Sequence, residues 1–372
     1  MKRATRCMGT RAAFAWRGGT SMPLTARLGR FLLATLLMGA AASAQQTKPA
    51  AQPNDGRINL DVVVTPKSGP PVGDLQEQDF TLLDNKTPRP ITFFKAVNGR
   101  QAAVEIVLVI DAINANYLNI SYQRAQIDKL LHADEGRLTH PMALALFTDR
   151  GTQILADFSV DGNVLSAALD REDVALRSLT RNSGFWGATE RWQLSLSALT
   201  DLLTAVEPEP GRKIVICVSP GWPLLSSPRI DLDGKMLQTI FTDAVKLSTQ
   251  MRRGRFTLYN VNPLGPEESP LRASYYEQFL RGINTPNQAQ MADLGLQVLA
   301  VQSGGLAPTP GNDITGALHE CLADIEPFYE ISFDPAPADH PDEYHRLDIR
   351  IARPGLIART KQGYYAQPAV RN

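Results

Sequence analysis

Apolar positions along the chain follow one spacing up to about residue 100, another from there to about residue 335, and the first again towards the end. From Ile58 to Val64 apolar and polar residues alternate, the period of a strand with one buried face. Lys67-Ser-Gly-Pro-Pro71 reads as a turn and Phe80-Thr-Leu-Leu83 as a second strand. Asp84-Asn-Lys86 is a further turn, followed by a third strand at Ile91-Thr-Phe-Phe94. Three short strands bury too little apolar surface to stand alone, so this segment is expected to borrow strands or a face from elsewhere.

After Arg100, almost continuously apolar runs take turns with helically spaced ones. Residues 104–110, 142–147, 152–158, 213–218 and 256–261 read as strands. Ile120, Ile127, Leu130 and Leu131 recur at helical spacing, as do Trp192, Leu196, Leu199, Leu202, Leu203 and Val206, and then Leu237, Ile240, Phe241, Ala244 and Met251. Strands that are apolar at nearly every position need cover on both faces, which strand–helix alternation supplies through right-handed crossovers. The expected fold class is α/β, with a doubly wound, mostly parallel sheet. Further helices are expected over residues 288–301 and 314–325, with a break at Ser303-Gly-Gly305, and residues 328–333 are expected to close the unit as its last strand.

Beyond Pro335 the β spacing returns. Residues 346–351 alternate strictly, Ala352-Arg-Pro-Gly355 turns, and residues 356–365 read as one more strand. Neither terminal set of strands suffices alone, so the two are expected to build one small sandwich-like module with the α/β domain inserted between them. This divides the chain into residues 57–100 and 336–367 for the module and 101–335 for the α/β domain.

Charge changes the picture at the front. The 38 basic and 38 acidic residues balance, but seven of the basic ones fall in the first 44 residues, which hold no Asp or Glu. Removing seven leaves 31 basic against 38 acidic, a mildly acidic body that argues against a nucleic-acid surface, which needs clustered Lys and Arg. Arg27 and Arg30 precede an apolar run from Phe31 to Met38, and Ala42-Ser43-Ala44 has the small-x-small form of a signal-peptide cleavage site. Cleavage is expected after Ala44, with Met22 an alternative start, giving a periplasmic or extracellular protein. The apolar run is too short to span a bilayer. Residues 45–56, rich in Gln, Pro and Ala, read as a linker. Once the leader is removed only Cys217 and Cys321 remain, both on apolar patterns and expected as buried free thiols although export would permit pairing.

Taken in order, Val62-Val-Val-Thr65, Gly69, Val72, Leu75, Asp79-Phe80, Leu82, Asp84, Ile91 and Val109-Ile-Asp111 resemble the acidobacterial von Willebrand factor A-related family. Tyr329-x-Ile-x-Phe333-Asp-Pro335, Tyr344-His-Arg, Arg353-Pro-Gly355 and Gly363-Tyr-Tyr365 extend the resemblance to about residues 58–367. The resemblance implies a secreted protein whose von Willebrand factor A-like domain lies beside a small β module. Related domains that bind a divalent metal use Asp-x-Ser-x-Ser after the first strand, a loop Thr, and an Asp after the fourth strand, because hard cations take oxygen ligands. Here the first motif reads Asp111-Ala-Ile-Asn114-Ala115, and Pro220 of Ser219-Pro-Gly221 stands where the last Asp is expected. Thr189 answers either to the loop Thr or to a helix N-cap. Magnesium or calcium is therefore not expected. Asp111 and Asn114, with Thr189 and Ser219, are the candidates for a polar crevice at the carboxyl edge of the sheet, with structural hydrogen bonding at the strand end the alternative reading of Asp111 and Asn114.

Cys217-Val-Ser219-Pro-Gly221 approximates the nucleophile elbow of hydrolases, but its first Gly is a Cys and a Pro-rich segment follows it. The five histidines form no metal-binding pair on a helix, and His340 and His345 are expected in an exposed turn. No glycine-rich phosphate loop occurs, so no nucleotide cofactor is expected. The reading that survives is an exported, non-enzymatic adhesion or binding protein that recognises a protein or extracellular polymer through the upper edge of its α/β domain, helped by the loop at residues 262–270. A serine hydrolase using Ser219 and a structural subunit of an envelope assembly are the alternatives.

Overall fold

The structure is a computed structural model that describes residues 56–98, 103–115, 117–171, 184–224, 232–263, 274–308 and 313–368. The leader, its cleavage site and most of the linker lie outside the described residues, as does much of the loop at 262–270.

The α/β part begins with β5 (Val104–Asp111), which follows β1 (Ile58–Pro66), β2 (Phe80–Asp84), β3 (Thr87–Arg89) and β4 (Phe93–Val97). It continues through α1 (Tyr117–Leu131), β6 (Arg137–Thr148), β7 (Gly151–Asp161), α2 (Gly162–Arg171), α3 (Gly184–Val206), β8 (Arg212–Val218), α4 (Gly234–Arg253) and β9 (Phe256–Val261). Its sheet runs β7-β6-β5-β8-β9, parallel except for β7, which returns antiparallel on β6. Successive side chains of a strand point to opposite faces. Val107 and Val109 accordingly join α3 and α4 through Leu199, Leu202 and Phe241, while Ile106, Leu108 and Ile110 join α1 through Ile127 and Leu131. No described helix is long and apolar enough to cross a membrane.

The helix expected over 288–301 is only α5 (Leu296–Gln302). Before it, Asp293 accepts the Gln290 N–H at 2.7 Å in a single turn of 3-10 helix, and Gly295 is extended (φ −72°, ψ 146°), so the α-helix begins one residue later. α6 (Ile314–Ala323) follows and packs Ile314, Leu318 and Cys321 beneath the sheet; Cys217 and Cys321 are both buried and free.

The strand β10 (Phe328–Phe333), expected to close the parallel sheet, is not in it. It pairs antiparallel with β1 and β4, because Tyr329, Ile331 and Phe333 find their apolar partners in Leu60, Val62 and Phe80. The segment read as one strand over 356–365 is two. β12 (Leu356–Arg359) pairs with β1, whereas β13 (Gly363–Ala366) pairs with β11 (Glu343–Ile351). The chain changes sheets at Thr360-Lys-Gln362. The result is two four-stranded antiparallel sheets, β12-β1-β10-β4 and β13-β11-β2-β3, each built from both ends of the chain and facing each other across a shared apolar core in the manner of a sandwich. His345, expected in an exposed turn, instead lies buried on β11 with Nδ1 2.9 Å from Asp84 Oδ1.

Charged groups fasten the sandwich to the amino-terminal ends of β8 and β9. Arg255 Nη2 donates to Asp61 and, at 2.7 Å, to Glu330, while Lys361 Nζ donates to the Phe256 carbonyl at 2.6 Å. Arg212 donates to the Ile325 carbonyl at 2.8 Å and lies 4.7 Å above the Phe328 ring. The burial of these cations, nearly full for Arg212 and Lys361 and partial for Arg255, is tolerable because each has an acceptor for at least one of its N–H groups, although Arg212 Nε has none among the described residues.

Candidate functional site

The opposite edge of the parallel sheet holds the polar residues singled out above. Asp111 ends β5, and Ser219 directly follows β8, its neighbour. From β5 the winding proceeds to β6 on one side and resumes at β8 on the other, so these carboxyl ends flank the point where it reverses. Ligands of doubly wound sheets bind in that crevice.

Four hydrogen bonds converge on the Asp111 carboxylate. Oδ1 accepts the backbone N–H groups of Ile113 (2.9 Å) and Asn114 (3.1 Å), which folds the loop back on the strand end. Oδ2 accepts the Asn114 side-chain amide at 2.8 Å and the Ser219 hydroxyl at 2.6 Å. Asn114 Nδ2 also donates to Ser195 Oγ at 2.8 Å on α3, and that hydroxyl donates to the Arg191 carbonyl at 2.7 Å. Gly221 N–H donates to Ser219 Oγ at 3.1 Å, and Asn260 Nδ2 near the end of β9 donates to the Ser219 carbonyl at 2.9 Å. One network thus ties β5, α3, β8 and β9 together. Asp111, Ser195 and Ser219 are fully buried, and Asn114, half-buried, has an Oδ1 that accepts no hydrogen bond among the described residues.

Burial pushes the Asp111 carboxyl above the ordinary carboxylate range, against the opposing pull of the hydrogen bonds from Ser219, Asn114 and Ile113. Burial also drives the Cys217 thiol strongly upward, helped by the charge of Asp111, so this cysteine is not a thiolate.

The structure therefore brings Asp111, Asn114 and Ser219 together. Thr189 lies within α3, beyond its first turn rather than at its N-cap, and lines the cleft between α3 and α4. Ser195 and Asn260 belong to the site and were not singled out from the sequence. Their signal is a polar residue on a buried stripe: Ser195 falls between Trp192 and Leu199 at helical spacing, and Asn260 interrupts a strand buried at every position.

This arrangement does not fit a divalent cation. Magnesium or calcium needs carboxylate lone pairs, and a carboxylate offers about four, all of which Asp111 gives to donors of its own chain. Pro220 contributes no side-chain oxygen, and among the described residues no three His, Cys, Asp or Glu side chains converge on one point. Nor is a nucleophile elbow formed. β8 runs into a loop rather than a helix, and the Ser219 hydroxyl is fully buried, with its proton on Asp111 and its oxygen on the Gly221 N–H.

The fold and crevice define a doubly wound α/β platform carried on a two-sheet β module. No protein family's sequence profile matches the chain, and no curated protein matches it either. Among solved structures, the SpRpn10 VWA domain aligns at 13% identity with a TM-score of 0.30, over 63% of this chain and 98% of that one. The N-terminal domain of TFIIH p34 aligns at 9% identity with a TM-score of 0.29, over 60% of this chain and 98% of that one.

Proposed function

We propose that the protein is an exported, non-enzymatic interaction module that recognises a protein or extracellular polymer through the carboxyl edge of its parallel sheet, without a bound metal. The residue resemblance to von Willebrand factor A-related proteins supports this reading. The observation that carries it is the use made of Asp111. Its carboxylate is spent entirely on holding the β5–α1 and β8–α4 loops in place, the property of a rigid platform rather than of a reactive centre.

The test is crosslinking of the purified protein in the native envelope or secretion fraction, with the crosslinked positions mapped by mass spectrometry. The expected positions are the loops after β5 and β8; crosslinks confined to the sandwich would refute the assignment of the surface. Ester and peptide substrates, offered in parallel to the wild type and to Ser219→Ala, are expected to remain intact with both. Turnover that Ser219→Ala abolishes would replace this reading with a hydrolase.

A further inference from the structure

We draw no further inference here: the strongest candidate, the open cleft of about 610 Å³ between α3 and α4, carries none because the charges along its α4 side (Asp233, Lys235, Asp243 and Lys246) balance and nothing in the structure shows what covers it.

Discussion

Replacing Arg255 by Met tests how the sandwich is held to the α/β domain. Arg255 sits between α4 and β9 with φ +56°, and its guanidinium bridges Asp61 on β1 and Glu330 on β10. Met is unbranched at Cβ like Arg, so the substitution removes the charge with little change in what the backbone must tolerate. The Asp61 side chain is 7% exposed, and those of Arg255 and Glu330 are 24% and 23% exposed. Burial pushes the Asp61 carboxyl up, but Arg255, Arg212 and Lys361 together outweigh it and hold it below the usual carboxylate range. Removing one partner of a buried pair costs about 3–5 kcal/mol; partial exposure of the arginine places the expectation at the lower end, about 3 kcal/mol. For a folded unit of this size that lowers Tm by roughly 5–10 °C. Glu330 keeps Lys95 at 3.8 Å, so the loss falls mainly on Asp61. Because the folded carboxyl is depressed, its contribution is complete above its unfolded pKa and disappears as pH falls through the folded value. Urea unfolding at pH 7 should therefore show the full penalty, and wild type should lose stability faster than Arg255→Met as the pH is lowered below about 4. A double-mutant cycle with Asp61→Asn should be non-additive by about 1–2 kcal/mol. A penalty under about 1 kcal/mol at pH 7, or strict additivity, would refute the clamp.

Asp293 carries a pH prediction of opposite sign: burial raises its carboxyl from 3.8 to about 7, so the unfolded chain ionises first and stability falls as pH rises from about 4 to about 7, by at most about 4 kcal/mol. Asp293→Asn, which can still accept the Gln290 N–H, should gain on wild type at pH 8 relative to pH 5 in urea melts, and an equal difference at both pH values would contradict this. Gly221 has φ +88°, and a Cβ there would lie 1.9 Å from Gln297 Nε2, a movable group, so Gly221→Ala should cost about 1–2 kcal/mol, mostly backbone strain. At Gly305 the same Cβ would lie 1.7 Å from the Leu258 carbonyl oxygen, which cannot step aside, so Gly305→Ala should be worse, at more than about 3 kcal/mol by the same unfolding assay. Millimolar magnesium or calcium should leave Tm unchanged, whereas a site filled to a hundred times its Kd would add about 2.7 kcal/mol; a rise in Tm that Asp111→Ala abolishes would restore a metal-dependent mechanism.

The alternation in β1 and the apolar runs of β5, β8 and β9 were legible because they are local: each strand's burial is written in its own residues at a period of two, or in their unbroken apolarity. The same holds for α3 and α4, whose stripes recur at helical spacing, and for Asp111 at the end of an apolar strand. Which sheet a strand enters is not local. β10 is as apolar as a parallel core strand, and only the registers of β1 and β4 on either side draw it into the antiparallel sheet. The crossing of Thr360-Lys-Gln362 between sheets was hidden for the same reason, since the residues on both sides of it suit a strand. His345 sits in a polar sequence and is buried because β11 pairs with β13, which sets it opposite Tyr364, and with β2, whose Asp84, 261 positions away and opposite Leu347, reaches its Nδ1. The candidate site divides along the same line. The types and order of Asp111, Asn114 and Ser219 belong to the sequence, but that all of Asp111's acceptor positions are filled depends on β8 lying beside β5, and Ser195 enters only because α3 packs over that edge. Periodicity records which face of an element is buried; what it is buried against is set by contacts between distant segments, whose loop-closure entropy the whole fold must outweigh at once.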